Sequence, residues 1–161
     1  MRKRTEARQL ALQMLYQLDT CGGDLMDEIV PFLKRNTQNN DTISYAKELI
    51  LGTWEKRTHI DKLIGEVAKN WQINRMAIVD RNVLRIGTYE LLFKSDIPPA
   101  VAINEAIDIA KKFSTKSSGQ FVNGILDTIR IRNENTAKGV EPLSGLEKGQ
   151  TSVQISNQPT Q

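Results

Sequence analysis

The strongest constraint in this chain is the stretch IPPAVAINEAIDIAKKFSTKSSGQFVNGILDT, residues 97–128. Pro98 and Pro99 stand where a first helical turn tolerates proline, because its missing N–H has no partner there anyway. Val101, Ala102, Ala106, Ile107 and Ala110 then recur at helical spacing up to Phe113. Asn104, Glu105, Asp108, Lys111 and Lys112 fall on the other side and read as a solvated face, the two lysines complementing the helix C-terminus. A polar break over 114–119 follows, in which Ser117 or Ser118 can cap a second helix. That helix carries Phe121, Val122, Ile125, Leu126 and Ile129 on one stripe. Asn123-Gly124 usually marks a turn, yet the stripe runs through it. A mid-helix glycine costs about 1 kcal/mol, so a tight helix contact is expected at Gly124.

The same period recurs upstream. Residues 5–19 read as a helix with Ala7, Leu10, Ala11, Met14, Leu15 and Leu18 inward. Along it Arg4, Arg8, Leu12 and Tyr16 follow at i, i+4 steps, a line that begins cationic and ends amphipathic. Cys21-Gly22-Gly23 ends the helix. Residues 25–34 suggest a short helix interrupted by Pro31. Asp41 or Thr42 caps a longer one bearing Ile43, Ala46, Leu49, Ile50 and Thr53. Another spans about 60–71, with Trp71 and Ile73 in the connection after it. Val79, Val83, Leu84, Ile86, Gly87, Leu91 and Leu92 mark the next, which stops near Ser95-Asp96. No segment alternates with period two. The expected fold is all-α, about seven helices in two small bundles sharing one core. Gly52, Gly65, Gly87 and Gly124 inside helices suggest close crossings. From Asn133 the pattern ends in a polar segment, read as a disordered tail over 133–161 after a folded domain over 1–132.

Charge and chemistry narrow the function. Arg2, Lys3, Arg4 and Arg8 against Glu6 give the first eight positions a charge equal to the whole chain's net +3. Cys21 is the lone cysteine, which excludes a disulfide framework and a thiolate cluster. The lone histidine, His59, and Cys21 have nothing around them that makes a nucleophile–base pair. There is no phosphate loop, dinucleotide fingerprint or HExxH, and no apolar run approaches the ~20 residues that span a bilayer. A cytoplasmic, non-enzymatic protein without cofactor or metal is expected. Cations at a helix start, with aromatics elsewhere for stacking, suit single-stranded RNA.

VDRNVLRIGTYELLFKSDIPPAVAINEAIDIAKKF followed by QFVNGILDTI resembles the signature half of the NusB family of transcription antitermination factors, and RTEARQLALQMLYQLD resembles its basic first helix. The resemblance covers about Arg4 to Arg130. It implies binding of boxA RNA together with ribosomal protein S10 (NusE). It also implies entry into an RNA polymerase elongation complex with other Nus factors, in support of ribosomal RNA synthesis. Carried over by position, Arg2, Lys3, Arg4, Arg8, Phe113, Ser117, Gln120 and Phe121 would contact RNA. Leu12, Tyr16 and Asp80 would face S10. Thr5 and Glu6 interrupt the basic cluster, and Ser117 and Gln120 differ in charge from some members. Three or four phosphate contacts give a salt slope near −2 to −3, at roughly 0.7 per contact for single strands. Two other functions remain open at this stage: the RNA-binding part of a ribosomal RNA methyltransferase, which needs a further nucleotide-binding domain, and a protein-only scaffold.

Overall fold

The computed structural model describes residues 2–69 and 72–137. Among these, seven α-helices and two short 3-10 segments follow one another: α1 (Arg2–Cys21), a 3-10 segment (Gly23–Glu28), α2 (Ile29–Asn36), α3 (Asn40–Glu55), α4 (Arg57–Val67), a 3-10 turn (Ile73–Arg75), α5 (Ile78–Phe93), α6 (Pro99–Phe113) and α7 (Lys116–Ala137). The described residues contain no strand. Trp71, expected in the connection after α4, lies outside the described residues.

Helix α1 is central. Ala7, Leu10, Ala11, Met14, Leu15 and Leu18 are all buried, and α1 packs on α3 and on α5. α2 covers α1 and α3, while α4 and α6 pack on α5. One apolar core runs through them, from Leu33 and Leu49 to Leu84, Ala106 and Leu126. The chain divides into two units, Met1–Ile129 and Arg130–Gln161, with the division inside α7.

Helix starts follow their caps. Pro98 is the N-cap of α6 and Pro99 its first residue, as the sequence suggests. Pro31 is tolerated because it falls in the first turn of α2, where a 3-10 segment has already ended. Two caps differ from expectation. Asn39, not Asp41 or Thr42, caps α3, its side chain accepting from the Thr42 N–H at 3.0 Å. Thr115, not Ser117 or Ser118, caps α7, its Oγ1 accepting from the Ser118 N–H at 3.2 Å. In both helices the cap lies just outside the first helical residues, which leaves its backbone free of helical φ/ψ.

The glycines separate into two kinds. A Cβ on Gly87 would lie 2.7 Å from Leu126 Cδ1, and one on Gly52 would strike the Tyr89 ring, so both mark close helix contacts. Gly124 and Gly65 have open space where a Cβ would go, and no tight crossing explains them. Residues 133–137, expected in the tail, are helical. α7 runs on to Ala137, supported by an Arg130–Glu134 ion pair at 3.0 Å and by Thr136 Oγ1 donating to the Arg132 carbonyl at 3.0 Å. The rest of the expected tail lies outside the described residues.

Candidate nucleic-acid and partner interface

The first turn of α1 presents Arg2, Lys3 and Arg4. Arg2 and Lys3 are exposed and Arg4 is half-buried. Lys3 Nζ lies 3.1 Å from Asp41 Oδ2, in the first turn of α3. Arg4 Nη1 lies 3.3 Å from Asp96 Oδ2, and its guanidinium stands 4.4 Å from the centre of the Tyr45 ring.

Arg8 does not belong to this cationic surface. It is 1% exposed. Its Nε donates to both Glu90 oxygens at 3.0 and 2.9 Å, and its Nη1 donates to Glu105 Oε1 at 3.0 Å. The Tyr45 hydroxyl donates to the same Glu90 carboxylate. Burial pushes the Glu90 carboxyl above its ordinary value, against the opposing charge of Arg8 and the hydrogen bond from Tyr45. Arg8 is thus a core ion-pair residue, with no phosphate-facing role. Leu12, expected to face S10, is likewise 3% exposed and packs in the core. The reason is helical drift. Each i, i+4 step rotates about 40° beyond a full turn, so three steps from Arg4 to Tyr16 sweep about 120° around α1. The line enters the core at Arg8 and Leu12 and leaves it at Tyr16, which is 41% exposed. Glu105, expected on a solvated face, accepts from Arg8 and from Thr5 Oγ1 at 2.7 Å; Asp108 is exposed as expected.

Beyond Tyr16, a second polar cluster fixes the end of α1 against α5. Asp19 Oδ2 accepts from Arg81 Nε at 2.6 Å, Asn82 Nδ2 at 3.0 Å and Arg85 Nη1 at 3.0 Å. Arg85 also grips Asp61 of α4 through two bonds of 2.7 Å. Burial raises the Asp19 carboxyl, but the Arg81 bond, the Arg85 charge and the Asn82 bond outweigh it and hold it below the ordinary range. Asp80, beside Arg81, is half-buried and sits at the start of α5.

Asp80, Ser117 and Phe121 meet in one groove of about 380 Å³, together with Arg75, Met76 and Thr115. Residues expected on separate RNA and partner surfaces are therefore adjacent. Asp80 Oδ2 accepts from Ser118 Oγ at 3.2 Å, while Oδ1 is buried without a hydrogen-bond partner. Phe121 is half-buried against the core. Ser117 and Gln120 are exposed, and Phe113 is 36% exposed.

Lys112, expected to be a helix-end charge, also makes contacts. Its Nζ lies 5.4 Å from the Phe113 ring centre and donates to Gln9 Oε1 of α1 at 3.3 Å. The contacts Thr5–Glu105 and Gln9–Lys112 ascend together along α1 and α6. The Gln9–Lys112 contact thus ties the Lys112–Phe113 corner to α1. Lys116, also exposed, adds charge beyond it. Among the described residues, no helix is long and apolar enough to cross a membrane.

Comparison with known proteins gives the family. The NusB family profile matches residues 5–130. The transcription antitermination protein NusB of Trichlorobacter lovleyi is 49% identical over 126 residues, which are 78% of this chain and 89% of that protein. NusB of T. maritima superposes with a TM-score of 0.72 at 37% identity, covering 84% of this chain and 96% of that one. A crystal structure of the antitermination factors NusB and NusE in complex with dsRNA matches with a TM-score of 0.70 at 35% identity, covering 81% of this chain and 98% of that one. The chain belongs to the NusB family of transcription antitermination factors, RNA-binding proteins rather than enzymes.

Proposed function

We propose that this protein binds boxA single-stranded RNA jointly with ribosomal protein S10 (NusE). The pair then joins an RNA polymerase elongation complex with other Nus factors, in the cytoplasm, and supports ribosomal RNA transcription. The observation that carries this reading is the cationic first turn of α1, Arg2, Lys3 and Arg4, with the exposed Lys112–Phe113 pair tied to the same helix through Gln9. The cations attract the phosphate backbone, and an exposed Phe gives a base a face to stack on. Ser117, Gln120 and Phe121 extend the RNA path at the start of α7. Tyr16 and Asp80 form the S10-facing side. The solved complex of NusB and NusE with dsRNA, at 35% identity, supports RNA and NusE as partners.

Three exposed or half-exposed cations make a weak site alone, so S10 supplies further RNA contacts across a shared surface. A gel shift with boxA RNA, with and without S10, tests this. Binding that is weak alone and strengthened by S10 supports the reading. No RNA binding in either case leaves a protein-only scaffold.

A further inference from the structure

Two of the cations at the start of α1, Lys3 and Arg4, are already engaged. Lys3 is paired with Asp41 and Arg4 with Asp96, and both pairs line a cleft of about 670 Å³ between α1, α3 and the α5–α6 connection. Lys94, paired with Glu48, also lies 3.7 Å from Asp96 and 5.6 Å from the Tyr45 ring centre. Acid and base are therefore interleaved here, where an uninterrupted basic patch would attract any polyanion equally.

The two kinds of arginine pair differ in what they allow. Arg8 and Glu90 are each 1% exposed, and breaking that pair strands a buried charge. Arg4 and Asp96 have side chains 39% and 56% exposed, Lys3 and Asp41 56% and 80%. Solvated pairs of this sort are weak, and either carboxylate can return to water at little cost. A phosphate oxygen offers the same charge and accepts the same hydrogen bonds.

We propose that Asp41 and Asp96 are exchangeable counter-charges: in the free protein they occupy Lys3 and Arg4, and RNA phosphates displace them on binding. The acidic pair then sets RNA affinity and disfavours polyanions that cannot supply phosphates at both positions. This inference rests on the RNA-binding reading above. It concerns what holds the cations before RNA arrives.

A double-mutant cycle tests it. Affinity for boxA RNA in the presence of S10 is measured for the wild type, Asp96→Asn, Arg4→Ala and the double variant, and likewise for Asp41→Asn with Lys3→Ala. Asp41 and Asp96 are exposed, so their amide variants keep the fold, which melting curves verify. Asp96→Asn is expected to tighten binding about two- to fivefold, the range of an exposed ion pair. That gain should vanish in the Arg4→Ala background. An equal gain in both backgrounds means a general charge effect and overturns the exchange. No gain, with Arg4→Ala still weakening binding, overturns the exchange and leaves the RNA-binding reading intact. If Arg4→Ala and Lys3→Ala also change nothing, both fall together.

Discussion

Arg8 Nε lies 2.9 and 3.0 Å from the two carboxylate oxygens of Glu90, across 82 residues of sequence, with both side chains 1% exposed. The pair joins α1 to α5 inside the core. Removing one partner strands the other charge, so Arg8→Ala should cost about 3–5 kcal/mol. For a domain of this size that is a fall in Tm of roughly 10 °C. Thermal unfolding followed by circular dichroism measures it. Arg8→Lys should recover little, because an ammonium cannot reproduce the fork that reaches Glu90 and Glu105 together. An unchanged Tm for Arg8→Ala would contradict the core assignment.

The glycines give opposite expectations. Gly87→Ala sets a methyl 2.7 Å from Leu126 Cδ1 and should destabilise by about 1–3 kcal/mol through overpacking. Gly124→Ala meets nothing within 4 Å and should stabilise by about 0.5–1 kcal/mol by removing glycine's helix penalty. Urea unfolding of the two variants checks the signs.

Asp19 carries an acid-dependent share of stability. Its folded pKa lies below the ordinary 3.8 because Arg81, Arg85 and Asn82 together outweigh its burial. The stabilisation is therefore fully present above pH 3.8 and is lost as the pH falls through the lowered folded value. Asp19→Asn should cost about 3 kcal/mol near pH 7, by removing the partner of two partly buried arginines. The difference from wild type should shrink below pH 3.8. Chemical denaturation at a series of pH values reads this; a constant difference would sink the idea.

Phe113 and Tyr16 should affect different partners. Phe113→Ala is expected to weaken boxA RNA binding by about 1–3 kcal/mol, the worth of one stacked base. It should leave S10 binding unchanged. Tyr16→Asp should abolish S10 binding while leaving the low RNA affinity of the free protein in place. Both side chains are substantially exposed, so neither change should lower Tm by more than a few degrees. Separate titrations with RNA and with S10 distinguish the two.

Much of the fold was legible because apolar period and proline placement agree with what tertiary packing requires. The core face of α1 and the Pro98-Pro99 start of α6 are examples. What misled was treating i, i+4 steps as a straight line. Over four residues the drift carried Arg8 and Leu12 into the core. A signal for this was present: Glu90 continues the apolar stripe of Val83, Ile86 and Gly87, where a charge demands a buried partner. Arg8, adjoining Ala7 and Ala11, is that partner. Gly124 misled in the other direction, since a pattern conflict does not say whether the reason is packing. The shared groove of Asp80, Ser117 and Phe121 was invisible because it depends on how α5 meets the α6–α7 break, which no local spacing encodes.

In the proposed function, RNA phosphates meet the first turn of α1, and the buried Arg8 takes no part. The most direct measurement is the salt dependence of boxA RNA affinity, in the presence of S10, for the wild type and an Arg2→Ala/Lys3→Ala/Arg4→Ala variant. At roughly 0.7 per phosphate contact, the log–log slope should become shallower by about 2, with S10 binding unchanged. A folded triple variant that keeps both the wild-type affinity and the wild-type slope would contradict the account.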